Sequence, residues 1–213
     1  MTDLHCHLLP SVDDGVQTEE ESLKILKEYK ANGIDTVVFT PHINHPTVKT
    51  DIETIKEKYK LFKPKAEALG IKTYLGSELY LQPNKKNFIP LFNTFALIEM
   101  PTDTFPVYFM NTVFDLQLDA YEIIIAHVER YSWLLEKPEM IVKLKEMGVY
   151  FQVNLNALEN KKAEYYRKNN LIDFISTDNH GDKRKQTDLS AYKKYPEITQ
   201  KMQKILSPYI KQA

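Results

Sequence analysis

The sequence of 213 residues has one cysteine, no long apolar run and almost no net charge, and each shortage excludes a class of protein. The single Cys6 rules out an intramolecular disulfide and is typical of a reducing cytoplasm. A net charge of −1 gives no electrostatic case for nucleic acid as a partner. No segment reaches the length of a transmembrane helix, and no signal peptide opens the chain. We therefore expect a single cytoplasmic domain over residues 1–213 that does not insert into a membrane.

Seven short apolar runs, rich in β-branched and aromatic residues, predict seven buried strands. These runs lie near residues 2–5, 35–40, 72–77, 95–99, 122–126, 149–154 and 172–177. Amphipathic patterns that predict helices separate most of them, at 19–31, 51–69, 108–120, 138–147, 156–170 and 190–210. Pro64 predicts a kink or break in the second helix, and Pro196 predicts an interruption of the last. Alternating strands and helices favour a parallel sheet, either doubly wound or closed into a barrel.

Histidines and carboxylates follow these strands at their carboxyl ends. The chain opens with Asp3-Leu4-His5-Cys6-His7, and because side chains alternate along a strand, both imidazoles should face one point, which suits a divalent transition metal. The later candidates are His42, Glu78, Glu99, His127, Asp178 and His180. A barrel collects residues from many strands at one end, whereas an open sheet concentrates its site at one switch point. We therefore predict an α/β fold, a distorted TIM-like barrel of seven βα units.

Five motifs in this order resemble those of the polymerase-and-histidinol-phosphatase superfamily. They are Asp-x-His-x-His at 3–7, Thr-Pro-His at 40–42, Gly-Ser-Glu at 76–78, Ala-His-x-Glu-Arg-Tyr at 126–131 and Thr-Asp-x-His at 177–180. Within the superfamily, the sequence is most similar to the bacterial metal-dependent protein-tyrosine phosphatases of capsule and exopolysaccharide clusters. The features that discriminate are His-x-Leu-Pro-x-x-Asp-Asp-Gly at 7–15 and His127-Val128-Glu129-Arg130-Tyr131.

The resemblance implies a trinuclear metal site, often of manganese, inside a distorted seven-unit barrel. Carried over to this sequence, the ligands are His5, His7, His42, Glu78, Glu99, His127, Asp178 and His180, with Glu78 bridging two ions. Nitrogen and oxygen donors without thiolate suit manganese, iron or zinc on physical grounds as well. The expected cofactor is Mn²⁺, as two or three divalent ions, with Fe or Zn as alternatives. The expected partner is a tyrosine-phosphorylated protein, above all the tail of a bacterial tyrosine kinase.

Arginine is scarce, because only three of the 28 basic residues are arginines. Two of them, Arg130 and Arg184, fall just after His127 and His180. A guanidinium matches phosphate oxygens bidentately, which an ammonium cannot do. We predict that both arginines bind the phosphoryl group of the substrate. The alternative is a local carboxylate partner such as Glu129.

Two aspartates lie beside the first histidines. Asp14 is a candidate general acid for the leaving tyrosyl oxygen, or else part of a turn that Gly15 closes; Asp13 is interpreted as a turn residue. His45 is the one histidine outside the motifs and is interpreted as an exposed loop residue, with a place at the substrate mouth as the alternative. Cys6 should point away from the neighbouring histidines and into packing.

Three functions remain open at this point. The first is a protein-tyrosine phosphatase that controls polysaccharide synthesis, the second a small-molecule phosphatase acting on histidinol phosphate, and the third a non-catalytic regulatory domain. The Asp-Asp-Gly and His-x-Glu-Arg-Tyr motifs favour the first, and the length leaves little room for insertions that cap a small substrate. Loops 43–50 and 82–93 offer lysine, asparagine, proline and Phe88, which predicts a preference for acidic phosphopeptides. The sequence leaves the oligomeric state open.

Overall fold

Nine parallel strands form the wall of the molecule in the computed structural model, which describes residues 1–182, 184 and 187–212. They are β1 (Thr2–Cys6), β2 (Thr36–Phe39), β3 (His42–Ile43), β4 (Lys72–Leu75), β5 (Glu78–Tyr80), β6 (Phe95–Glu99), β7 (Glu122–Ile125), β8 (Tyr150–Asn154) and β9 (Phe174–Ser176). Two ladders hold them, in the orders β1-β2-β4 and β3-β5-β6-β7-β8-β9. Most strand residues are buried, as expected for a parallel sheet covered on both faces.

The nine strands correspond to the seven predicted ones, because two of the seven are interrupted. β2 continues into β3 after Thr40 and Pro41, and β4 continues into β5 after Gly76 and Ser77. Hydrogen bonds cross both interruptions, from Gly76 N to the Phe39 carbonyl (2.8 Å) and from Glu78 N to the Pro41 carbonyl (3.1 Å). Each interruption lies just before a predicted ligand, so the pairing resumes with His42 opposite Glu78.

The sheet curls until its last strand meets its first. The amide of Asp178 donates to the His5 carbonyl at 2.9 Å. The amide of His7 donates to the Asn179 carbonyl at 2.9 Å, and Cys6 and Asn179 form a parallel bridge. The predicted fold, a distorted barrel of seven units rather than an open sheet, is confirmed.

Eight α-helices surround the strands in the described part of the chain. They are α1 (Glu19–Ala31), α2 (Ile52–Glu67), α3 (Phe109–Leu118), α4 (Ser132–Leu135), α5 (Pro138–Glu146), α6 (Lys161–Lys168), α7 (Ala191–Lys194) and α8 (Pro196–Gln212). Pro64 does not break α2, because it lies in the last turn of that helix. The interruption before Pro196 is confirmed, while α4 was not predicted and α6 begins five residues later than expected. None of these helices is both long and apolar enough to span a bilayer.

Candidate metal centre

The eight predicted ligands lie together at the carboxyl end of the barrel. His5, His42, Glu78 and Glu99 lie within strands β1, β3, β5 and β6. The other four follow strands: His7 after β1, His127 after β7, and Asp178 and His180 after β9. All eight residues are buried. Closure of the barrel therefore brings five imidazoles, from the ends of four strands, and three carboxylates together in a space that solvent scarcely reaches.

Glu78 occupies the middle of this group. Its Oε1 lies 2.8 Å from His127 Nε2 and 3.4 Å from His5 Nε2. Its Oε2 lies 3.0 Å from His42 Nδ1 and 3.2 Å from His7 Nε2. Burial alone would raise the pKa of this carboxyl, but the surrounding histidines lower its pKa well below the usual value. A carboxylate with both oxygens directed at imidazoles has the arrangement that a ligand bridging two cations needs.

The histidines of β1 are oriented from behind by acceptors. His7 Nδ1 donates to Asp13 Oδ2 at 2.7 Å, and His5 Nδ1 donates to Gln152 Oε1 at 3.2 Å. Each of these bonds places the proton on Nδ1 and leaves the lone pair of Nε2 free to face the centre. The two Nε2 atoms lie 3.3 Å apart. Acceptors that fix the tautomer and direction of a histidine are the usual outer layer of a metal site.

Asp14 belongs to the group rather than standing apart from it. Its Oδ1 lies 3.5 Å from His42 Nε2 and 3.6 Å from His180 Nε2. The Nδ1 of His180 donates to the Asp178 carbonyl at 2.9 Å, so its Nε2 is the unprotonated nitrogen that faces Asp14. This position favours a metal ligand over the predicted general acid or turn residue.

Asp13 combines the predicted turn with a second contact. Its Oδ1 accepts from Gly15 N at 3.0 Å, which is the expected turn. Its Oδ2 accepts from both His7 Nδ1 and His42 N, at 2.7 and 3.1 Å. Burial would raise the pKa of Asp13, but His7 lowers it to about 2, so the carboxylate is charged when it orients this histidine.

The donor atoms divide into overlapping groups whose members lie within 4.8 Å of one another. The groups are His5, His7 and Asp178; Glu78, Glu99 and His127; His7, Asp14, His42 and His180; and His42, His45 and Glu99. Within the described residues, four buried atoms of these side chains make no hydrogen bond: His42 Nδ1, Glu78 Oε2, Glu99 Oε2 and His180 Nε2. Unsatisfied donors and acceptors are costly in a protein interior, so several at one place indicate missing ligands. The residues therefore fit divalent cations.

The carboxylate of Glu99 also fits a bound cation. Burial and the charge of Glu78 raise its pKa to about 9. Its nearest cationic candidates are imidazoles, with Oε1 3.6 Å from His127 Nε2 and Oε2 3.5 Å from His42 Nδ1. A divalent cation at this position would supply the charge that stabilises the ionised carboxylate.

Two polar residues of β8 support the centre and were not predicted. Gln152 Oε1 accepts from His5 Nδ1 and from His127 N, the latter at 2.7 Å. Asn154 Nδ2 donates to Asp178 Oδ2 at 2.8 Å, and Gln152 Nε2 donates to Asn154 Oδ1 at 2.8 Å. The signal was available in the sequence, because two amides at alternate positions of a buried strand require partners on one face.

The backbone is strained at two of the ligand positions. His127 has φ 33° and Asp178 has φ 50°, in the left-handed region that side chains with a Cβ seldom adopt. Such conformations cost about 1–3 kcal/mol each and persist where the surroundings impose them. Here the strain accompanies side chains that converge on one point.

Arg130 and Arg184 line a common cavity of about 180 Å³ beside the centre, together with Asn154, Asp178 and His180. Arg130 contacts the Asp178 carboxylate, and its side chain is about one-third exposed. Arg184 donates to Asp14 Oδ2 at 2.9 Å. Glu129, the carboxylate named as the alternative partner, accepts from Asn154 N and adds to the negative charge near Arg130. Both arginines therefore border the centre, and each already pairs with an aspartate of the group.

Neither His45 nor Cys6 was expected from the sequence to take part in the metal site, and the structure places the two residues differently. Cys6 is fully buried and its thiol contacts the Val38 carbonyl, so its expected role in packing is confirmed. His45 lies in a loop, as expected, but it is only about one-fifth exposed and faces the centre. Its Nε2 lies 3.9 Å from Glu99 Oε2, and its ring packs 4.6 Å from that of His42.

Known sequences that are similar to this chain include a capsule-synthesis family and two tyrosine-protein phosphatases. The sequence profile of a family described as capsular polysaccharide synthesis, CpsB/CapC, matches residues 1–209. The tyrosine-protein phosphatase YwqE of Bacillus subtilis is 30% identical over 196 residues, which cover 84% of this chain and 77% of the relative. The tyrosine-protein phosphatase CpsB of Streptococcus agalactiae is 29% identical over 201 residues, covering 84% and 83%.

Solved structures agree in fold. One comes from work on YwqE of Bacillus subtilis and CpsB of Streptococcus pneumoniae, described as metal-dependent tyrosine phosphatases. It matches 98% of this chain and 87% of its own with a TM-score of 0.79 and 27% identity. A histidinol phosphate phosphatase of Lactococcus lactis matches 94% and 93% with a TM-score of 0.60, but at 14% identity it shows the fold alone. The chain belongs to the capsular polysaccharide synthesis family CpsB/CapC.

Proposed function

We propose that this chain is a metal-dependent protein-tyrosine phosphatase of bacterial capsule or exopolysaccharide synthesis. The observation that carries the proposal is a buried group of imidazoles and carboxylates with unsatisfied polar atoms. A cavity that two arginines line borders this group. The proposed ligands are His5, His7, Asp14, His42, Glu78, Glu99, His127, Asp178 and His180. The names of two relatives, tyrosine-protein phosphatases, support the same reaction. The proposed substrate is a tyrosine-phosphorylated protein, with a bacterial tyrosine kinase tail as the expected partner in the cytoplasm.

Different residues of the chain have different roles in the hydrolysis of a phosphomonoester. When bound, divalent ions supply a nucleophile that is active near neutral pH and positive charge beside the phosphoryl oxygens. Arg130 and Arg184 bind those oxygens through planar guanidinium groups, which suit a tetrahedral dianion. Asn154 holds the Asp178 carboxylate in place, so that this side chain keeps its direction when Arg130 turns toward the substrate.

We propose manganese as the native metal, in two or three ions, with iron or zinc as alternatives. The donors of the centre are imidazole nitrogens and carboxylate oxygens, a set that all three metals accept. No thiolate takes part, because the Cys6 thiol is turned toward the Val38 carbonyl. Metal analysis of the protein as purified, followed by reloading with each metal, tests this assignment.

The test of function is a comparison of substrates on the metal-loaded chain. Phosphate release is measured on a phosphotyrosine peptide and on histidinol phosphate, before and after chelation. We expect a higher kcat/KM on the peptide, loss of activity in chelator and recovery with manganese. Preference for histidinol phosphate would replace the proposal with a small-molecule phosphatase. Absence of activity on both substrates, at full metal content, would support a regulatory domain.

A further inference from the structure

A second cavity, of about 480 Å³, lies between two loops near the metal centre. Residues 43–44, 50–53 and 56 form one wall, and residues 87–90 and 93 form the other. Its volume falls in the range of ligand sites, about 300–1,000 Å³. Unlike the cavity between the arginines, it contains none of the proposed metal ligands.

The cavity lies at the same end of the barrel as the centre. One wall follows strand β3, which begins at His42, and the other follows strand β5, which begins at Glu78. Loops that follow parallel strands of a barrel gather at its carboxyl end. Thr50 Oγ1 donates to the His42 carbonyl at 2.6 Å, which ties this wall directly to a ligand strand.

Both walls are anchored, so the cavity is formed before anything binds. Gln82 Nε2 donates to the Asn44 carbonyl at 2.7 Å and joins the two loops. Ile89 N donates to Ser77 Oγ at 2.8 Å, and Ser77 Oγ donates to the Ile89 carbonyl at 3.1 Å. A preformed site spends little binding free energy on ordering its own loops.

The charged groups of the lining already have partners. Lys56 Nζ lies 2.9 Å from Glu53 Oε1, and the Asp51 carboxylate caps α2 by accepting from Thr54 N at 2.8 Å. Lys86 does not line the cavity but pairs with Asp119 at 2.7 Å. Lys56 thus lines the cavity as part of an ion pair, while the loop lysine Lys86 lies outside it, so the lining itself presents little unpaired charge to acidic flanking residues.

What remains for recognition is carboxamide and apolar surface. Asn44, Asn87 and Asn93 line the cavity beside Phe88 and Ile89. Asn44 Nδ2 is buried without a hydrogen-bond partner among the described residues. A carboxamide offers one acceptor and two donors, which match the N–H and C=O groups of a peptide main chain. Such pairing is independent of the side chains that the peptide carries.

We propose that this cavity binds the main chain of the substrate beside its phosphotyrosine, and so makes the enzyme selective for phosphorylated polypeptides over small phosphomonoesters. This inference rests on the proposed phosphatase function. The phosphotyrosyl group occupies the arginine-lined cavity and the flanking residues lie along the asparagines. Residues of either charge are accepted beside the phosphotyrosine.

Asn87 gives the cleanest test, because it is exposed and has an ordinary backbone, whereas Asn44 and Asn93 have positive φ. kcat/KM is measured on p-nitrophenyl phosphate and on a nine-residue phosphotyrosine peptide with alanine flanks. Asn87→Ala should lower the peptide value about fivefold, as expected for one lost hydrogen bond, and leave the small substrate unchanged. Asn87→Trp, which fills the cavity, should lower it further. Asn111→Ala, an exposed asparagine of α3 outside the cavity, is the matched control.

The outcomes separate the inference from the function on which it rests. An unchanged ratio of peptide to small-substrate kcat/KM in both Asn87 variants overturns the peptide site and leaves the phosphatase intact. The same holds if a peptide with glutamate flanks is preferred over the alanine peptide by more than about tenfold. A wild-type protein that hydrolyses neither substrate at full metal content overturns the proposed function itself.

Discussion

Two buried carboxylates, Asp173 and Glu99, lie at opposite ends of the barrel, and they differ in how their charge is balanced. At the amino end, Asp173 directly precedes β9 and is almost fully buried. Its Oδ1 lies 3.0 Å from Lys201 Nζ, and its Oδ2 contacts Lys145 and accepts from Phe151 N at 2.8 Å. At the carboxyl end, Glu99 is also buried; among the described residues its ion-pair contacts are with imidazoles, such as His127 at 3.6 Å, and its Oε2 has no hydrogen bond.

The difference separates a structural carboxylate from one prepared for a ligand. A buried charge with cations and amide donors around it stabilises the fold, and removing one partner is costly. A buried carboxylate without such partners is unfavourable unless a cation binds, which is why burial and Glu78 raise the pKa of Glu99 to about 9. The amino end stabilises the barrel, whereas the polar atoms of the carboxyl end fit a bound cation.

Metal removal should produce the largest effect, because only the carboxyl end depends on it. Chelation is expected to lower kcat/KM by at least about a thousandfold, and His127→Ala should approach the same loss, together with lower metal content. His45→Ala is the matched control, since this ring lies farther from the central carboxylate, and it should lose much less. Equal losses in the two variants would mean that His127 is not a ligand. Full activity after confirmed metal removal would exclude the proposed mechanism.

Exchanging a carboxyl for an amide at each end should have opposite consequences. Glu99→Gln resembles the protonated carboxyl of the metal-free protein, so its free energy of unfolding without metal should stay within about 0.5 kcal/mol of wild type. Its activity should fall about a hundredfold, since a metal ligand is lost. Asp173→Asn should keep its kcat but lower the free energy of unfolding by about 2 kcal/mol. Denaturant titration in chelator and steady-state kinetics with manganese measure both, and the reverse pattern would invert the comparison.

Asp13 offers an intermediate case, a buried aspartate that acts on the centre through His7. Asp13→Asn keeps the shape but removes the charge that holds Nδ1–H, so we expect metal affinity to fall about 10–100-fold. Calorimetric titration of metal into the stripped protein measures this change. A normal metal affinity would reduce Asp13 to its turn.

Arg130 should give the smallest of these effects. Arg130→Lys keeps the charge but removes the planar pair of donors, so kcat/KM should fall at least about tenfold, about 1.4 kcal/mol, at unchanged metal content. Lys201→Arg at the amino end is the control, since either cation can pair with Asp173 there, and it should leave activity and stability nearly unchanged. Normal activity of Arg130→Lys would make this arginine a structural partner of Asp178 alone.

The residues that sequence reasoning missed share one property. Each of them has a contact with the centre that is distant in sequence: Gln152 with His5, Asn154 with Asp178 and His45 with Glu99. The contact between Asp14 and His180 could not be foreseen, because the two residues come together only when the last strand closes on the first. The loops around Asn44 and Asn87 were singled out as a substrate surface, and in one of them Lys86 pairs with Asp119 instead of lining the cavity.

The seven-unit alternation of strands and helices and the eight residues that meet at one end could be predicted from the sequence. Those features depend on side-chain periodicity and on the residue that follows each strand, which are local properties of the chain. Which groups surround each carboxylate became known only from the folded chain. Lysines surround Asp173, imidazoles lie around Glu99, and carboxamides line the second cavity. The physical reason is that charge balance depends on distances of a few ångströms between distant residues, and barrel closure fixes those distances.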